Sequence, residues 1–213
     1  MYRASLILLN PFKARVGLHL AESEMKVIRL QLRRIREDMA MSADAFKKVR
    51  VTHHLDDSNR ERFFDDDFRE AGIEAMKRGQ EVNTTLFADI KFLVMSVRQL
   101  RRFFMMIRKY LPNEPELEEL EKRYGGFLKD SKDIRNGIVH EDDRIDDGVS
   151  DLGNLYNSKF TFDGKEFEIG PELERILEEF FEGLLQACEF IAERQRTEAA
   201  GCPRKSGSSE KRP

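Results

Sequence analysis

"IKFLVMSVRQLRRFFMMIRKYLP", residues 90–112, decides the fold class of this chain. Ile90, Leu93, Val97, Leu100, Phe104, Ile107 and Leu111 recur at alternating steps of three and four, which puts them on one stripe of an α-helix. Pro112 then stops the helix, because proline lacks the amide hydrogen and clashes with the preceding turn. So long an apolar stripe predicts a central helix of a bundle.

The same spacing continues on both sides. From Leu18 to about Arg50 there are few breakers, and Met25, Ile28, Leu32, Ile35 and Met39 form a second stripe. Residues 52–59 are polar and turn-like, and Phe64, Phe68, Ala71 and Ala75 predict a shorter helix that ends before Gly79. Beyond Pro112, Pro115 marks a helix start, and Leu117, Leu120, Tyr124, Phe127, Ile134 and Ile138 hold the spacing, with Ser131 the one weak position. An acidic loop follows, and then "KFTFDGKEFEI", residues 159–169, where apolar and polar residues alternate on either side of Asp163–Gly164, the signature of a β-hairpin. Gly170 and Pro171 open a last helix with Leu173, Leu177, Phe180, Leu184, Ala187 and Ile191 as its seam.

Four seams joined by short turns predict an all-α antiparallel helical bundle, with one small β-hairpin inserted before the last long helix. Residues 1–198 are expected to form a single helical domain and residues 199–213 a disordered C-terminal tail. The seams could also serve a coiled-coil scaffold, but the short turns favour packing within one chain, and a leftover face remains open for dimerisation.

Composition excludes several classes. The chain has 213 residues, 36% of them charged and 40% hydrophobic, no Trp, and a net charge of -3. That balance suits a helix-rich protein with heavily charged outer faces, and argues against a surface coated with basic charge for long nucleic acids. The one apolar run near the start, Ala4–Leu9, is too short to span a membrane and lacks a cleavage site for a signal peptide, so no membrane partner and a cytoplasmic location are expected. Cys188 and Cys202 have neither metal spacing nor a disulfide framework. His53 and His54 beside Asp56 and Asp57 suggest a metal only by composition, since neighbouring histidines diverge. The acidic stretch from Asp142 to Gly148 fails as a calcium loop, because Arg144 stands where the third-position ligand belongs. No metal or other cofactor is expected.

The chemistry in the sequence concentrates in "DIRNGIVHEDD", residues 133–143. Arg135 sits on the shoulder of the buried stripe, and His140, five residues on, points about 140° away from it on a straight helix. The two can share a small ligand if Gly137 and the following acidic run let the last turn unwind, or if a twofold partner pools two copies of the motif. Imidazole can move a proton near neutral pH while guanidinium holds a phosphate through two donors. RNA supplies both groups, because its 2′-hydroxyl lies beside the scissile phosphate, and Asn136 can orient either one. Arg98, Arg101, Arg102, Arg108 and Lys109 on the central helix are the leading RNA-binding candidates, ahead of Arg29, Arg33 and Arg36 on the first. The plainer reading is that Arg135 pairs with Asp133, Glu141 or Asp142 and that His140 caps a helix end. The run Glu141, Asp142, Asp143 would also favour the charged imidazole and repel an RNA backbone.

Residues Arg135 to His140 resemble the motif of the HEPN superfamily, an Arg followed after four to six residues by His, and Asn136 directly after the Arg strengthens the match. The resemblance covers residues 85–195 in arrangement, the core of the expected domain, and in sequence only the hexapeptide. It implies a helical, metal-independent endoribonuclease acting as a homodimer, commonly the toxin of a toxin-antitoxin pair or a phage-defence protein, with an antitoxin or nucleotidyltransferase partner. Carried over by position, Arg135 would stabilise the phosphate, His140 would transfer the proton, and Asn136 would support both. Members without catalysis exist, so a non-catalytic helical binding module, an antitoxin or adaptor, is the alternative. The hairpin and the long first helix match no particular family within the superfamily.

Overall fold

The computed structural model describes residues 9–53, 66–139, 154–156, 159–162 and 165–201. Helix α1 (Phe12–His53) leads to α2 (Asp66–Tyr110) and α3 (Pro115–Val139), three short strands follow, and α4 (Pro171–Gly201) closes the chain. The helix starts are chemically alike. Pro115 and Pro171 occupy first-turn positions where no amide hydrogen is needed, the carbonyl before each accepts the first helical hydrogen bonds, and each first turn carries two glutamates that favour the positive end of the helix dipole. Between α2 and α3, Asn113 takes a positive φ of 64°, a conformation asparagine tolerates and one that lets the chain reverse after Pro112.

Cross-helix contacts show that neighbours run antiparallel. Arg34 of α1 meets Asp89 of α2, Arg29 and Arg36 of α1 meet Glu178 and Glu174 of α4, and Tyr124 of α3 reaches Glu179 of α4. Each helix packs on two neighbours, so α1 and α3 face each other across a diagonal. Along the central axis the seams interlock: Phe104, Tyr124 and Phe180, from α2, α3 and α4, form an edge-to-face cluster with centroids 5.3 and 5.7 Å apart. The buried cluster extends from Leu9 to Ala192. Asn10 and Gln195 exchange two hydrogen bonds, of 3.0 and 2.8 Å, which pin the start of α1 to the far end of α4. At Gly17 the first two helices approach closely, because a Cβ there would lie 2.8 Å from Ile107 Cγ1 and 2.9 Å from Met106 Cε.

The fold class agrees with the sequence reading, and three boundaries differ. The helix expected to end before Gly79 continues through it, so 66–110 is one helix of 45 residues. Gly72 and Gly79 are both buried within it, at positions where a helical glycine costs roughly 1 kcal/mol relative to alanine. The hairpin is the larger part of a three-stranded antiparallel sheet, β1 (Asn154–Tyr156), β2 (Lys159–Phe162) and β3 (Lys165–Glu168), with β2 in the middle. Phe160 pairs with Phe167 across β2 and β3, and both are buried, which is how the sheet attaches to the bundle. The turn residues Asp163 and Gly164 lie outside the described residues. Finally, α4 runs to Gly201 and takes in the first residues of the segment read as tail, while residues 202–213 lie outside the described residues.

Candidate nucleic-acid interface

The basic residues of α2 come together on one face. Arg98, Arg101, Arg102 and Lys109 line a groove of about 570 Å³ with Met105, Met106 and Tyr110. Their spacing of three and four residues over three helical turns explains the shared face, since such neighbours lie one above another on a helix. Arg102 donates to Gln99 at 3.3 Å, and Lys109 lies 5.9 Å from the centre of the Tyr110 ring. Lys13 of α1 approaches the same ring at 5.1 Å, so a residue the sequence reading did not connect with the cluster belongs to it. No local signal could have found Lys13, because 97 positions of chain separate it from its partner and only the α1–α2 packing joins them.

Arg108 does not belong to that face. Its guanidinium is ion-paired with Glu121 of α3. The first-helix candidates are engaged in the same way: Arg29 donates from Nε and Nη2 to the two carboxylate oxygens of Glu178, both at 2.6 Å, and Arg36 donates to Glu174 at 2.7 Å. The hydrogen bonds to Glu178 hold the Arg29 guanidinium above its ordinary pKa despite partial burial. These two arginines tie α1 to α4, and Arg33 is exposed. Arg29, Arg36 and Arg108 therefore join helices, whereas Arg98, Arg101, Arg102 and Lys109 line the groove on α2.

A groove of this composition suits a single-stranded polyanion. Guanidinium and ammonium groups bind phosphates, Tyr110 offers an aromatic face for stacking, and the thioethers of Met105 and Met106 adapt to flat apolar surfaces. It is open rather than enclosed, a surface groove rather than a closed pocket.

Arg135 and Asn136 lie in the last turns of α3, whose helix passes through Gly137 and reaches Val139. His140 and the acidic run Glu141–Asp143 lie outside the described residues. The Arg108–Glu121 pair fixes the level of α3 against α2. Counting from it in opposite directions, Arg135 stands level with about residue 94 of α2, so Arg98 lies within about 6 Å of Arg135 along the bundle axis at 1.5 Å per residue. Lys109 is about 22 Å from that level on the same scale. The basic face thus runs lengthwise from the α2–α3 turn towards the segment that carries the motif.

Of the histidines and acids weighed as metal ligands, His54, Asp56 and Asp57 lie outside the described residues, as does the stretch 142–148. No helix among the described residues is long and apolar enough to cross a membrane. Comparison with protein-family models, curated proteins and solved structures gives no match to this chain.

Proposed function

We propose that this protein is a HEPN-like, metal-independent endoribonuclease of the toxin or phage-defence kind, acting on single-stranded or looped RNA. One observation carries the reading: Arg135 and Asn136 of the hexapeptide lie in the last turns of a bundle helix, level with the near end of a methionine- and tyrosine-lined basic groove on the neighbouring helix. In this reading the groove binds the phosphates, Arg135 stabilises charge on the scissile phosphate, His140 moves the proton of the 2′-hydroxyl, and Asn136 orients one of them. The two functional side chains converge through an unwound helix end or through a second copy of the chain.

The reading is tested by RNA cleavage with purified full-length chain. Arg135→Ala and His140→Ala each lower the rate by roughly 100-fold or more with little change in thermal stability. Chelation with EDTA leaves activity intact, and loss of cleavage restored by a divalent ion would assign the chemistry to a metal instead. Arg101→Ala with Arg102→Ala weakens RNA binding across sequences and lowers the salt dependence by about one to two released counterions. The alternative, a non-catalytic binding module serving as antitoxin or adaptor, is favoured by the acidic run beside His140, which repels phosphates. It predicts no cleavage at all, and a loss of about 1 kcal/mol in stability when Arg135 or His140 is removed.

A further inference from the structure

Helix α1 carries a second apolar stripe, on the side away from the bundle core. Phe12, Val16, Leu20, Val27, Leu30 and Met41 are each between a third and two thirds exposed. From Lys13 to Met41 the stripe follows a heptad spacing, with Lys13, Leu20, Val27, Arg34 and Met41 at one core position and Val16, Ser23, Leu30 and Glu37 at the other. It extends over about 44 Å at 1.5 Å per residue. Scattered exposed apolar side chains are ordinary on a protein surface, but here five of the nine positions at coiled-coil spacing along a 42-residue helix are apolar and exposed, a face that no described element covers.

The charged positions say which partner fits. A parallel second copy would stack Lys13 on Lys13, Arg34 on Arg34 and Glu37 on Glu37, because equal core positions meet in that arrangement. An antiparallel copy centred on residue 25 places Leu20 against Leu30, Val27 against Ser23 and Val16 against the stem of Arg34. It also places Lys13 against Glu37 at both ends. Arg34 is already held at its tip by Asp89, at 3.0 Å, which leaves its methylenes to cover Val16. A helix pair of this length, with its flanking stems, approaches the roughly 800 Å² per partner of a standard interface.

We infer that the outward face of α1 is a homodimer interface in which two copies of this chain pack their α1 helices antiparallel about residue 25. The pairing rests on the apolar face of α1 and its charges, and the one residue it shares with the RNA reading is Lys13, which also lies beside Tyr110 of the groove. The pairing is separate from any twofold that would pool Arg135 and His140, because α1 and α3 are diagonal in the bundle.

Sedimentation equilibrium of the full chain from low to high micromolar concentration tests it. The expected result is a dimer that Leu20→Glu with Leu30→Glu converts to monomer, weakening association by roughly 100-fold or more, with helical circular dichroism and Tm unchanged since both side chains are already partly exposed. Lys13→Glu alone should weaken the dimer by about tenfold through its two symmetric contacts, and adding Glu37→Lys should restore it. A strict monomer at high micromolar concentration overturns the inference, as does a dimer indifferent to both pairs of substitutions. Restoration by the charge swap keeps the test decisive should the double glutamate variant fold poorly. RNA cleavage by the Leu20→Glu, Leu30→Glu chain separates the two readings: failure of the dimer leaves the nuclease assay unaffected, and loss of activity in Arg135→Ala leaves the dimer intact.

Discussion

Phe180→Ala is the substitution that most directly asks what holds the four helices together. The side chain is fully buried where three helices meet, edge-on to Phe104 at 5.3 Å and to Tyr124 at 5.7 Å. Removing a buried phenylalanine costs about 3–5 kcal/mol in lost transfer energy and residual cavity. The two edge-to-face contacts place this site at the upper end, while alanine's better helix propensity returns about 0.5 kcal/mol. The expected loss is therefore about 4 kcal/mol, which for a chain of this size lowers Tm by roughly 8–16 °C. Phe92→Ala is the matched control: it lies on α2, 61% exposed, gains the same propensity and leaves no cavity. Thermal and urea unfolding of both variants, followed by circular dichroism, should show a large shift for Phe180→Ala and one within about 0.5 kcal/mol for Phe92→Ala. Equal shifts in the two would mean that the Phe104–Tyr124–Phe180 cluster is not the energetic centre of the bundle, and the packing argument would fail.

Asp38 is buried between α1 and α2 beside Asp89, with Oδ2 lacking a hydrogen-bond partner, and its pKa is raised first by burial and then by the Asp89 charge. A carboxyl raised in the folded state binds more protons there than when unfolded, so its contribution to stability is present below the unfolded pKa and lost as pH rises through the folded one. Urea titration at several pH values should show that fall, and Asp38→Asn should flatten it and raise stability at neutral pH. Cys188 is buried, with its thiol pushed up to about 12 by desolvation, so in a Cys202→Ser chain a disulfide reagent should not modify it at pH 8 until the protein unfolds. The Arg29–Glu178 pair is bidentate but more than a third exposed on both sides, so a double-mutant cycle with glutamines should give a coupling of no more than about 1 kcal/mol, shrinking in high salt.

The seams were legible in the sequence because a helix that buries one stripe must repeat apolar residues every three to four positions, whatever its neighbours are. Ile90 to Leu111 and Leu173 to Ile191 declared both the helices and the faces they bury, and Asp-Gly between alternating runs declared the hairpin. The same residues could not say that Gly79 lies inside a helix, since a glycine reads locally as a helix breaker, yet α2 runs through it and buries it. Nor could they sort the arginines. Arg29, Arg36 and Arg108 read like Arg98, Arg101 and Arg102 until folding brings Glu178, Glu174 and Glu121 against the first three and leaves the others on an open groove. The stretch from Arg135 to His140 is the converse case, read entirely from the sequence, with His140 outside the described residues. Periodicity and motif are local and were determined by the chain itself; which charges neutralise each other depends on distances of a few ångströms between different helices, as much as 149 residues apart for Arg29 and Glu178, and only the tertiary structure decides those.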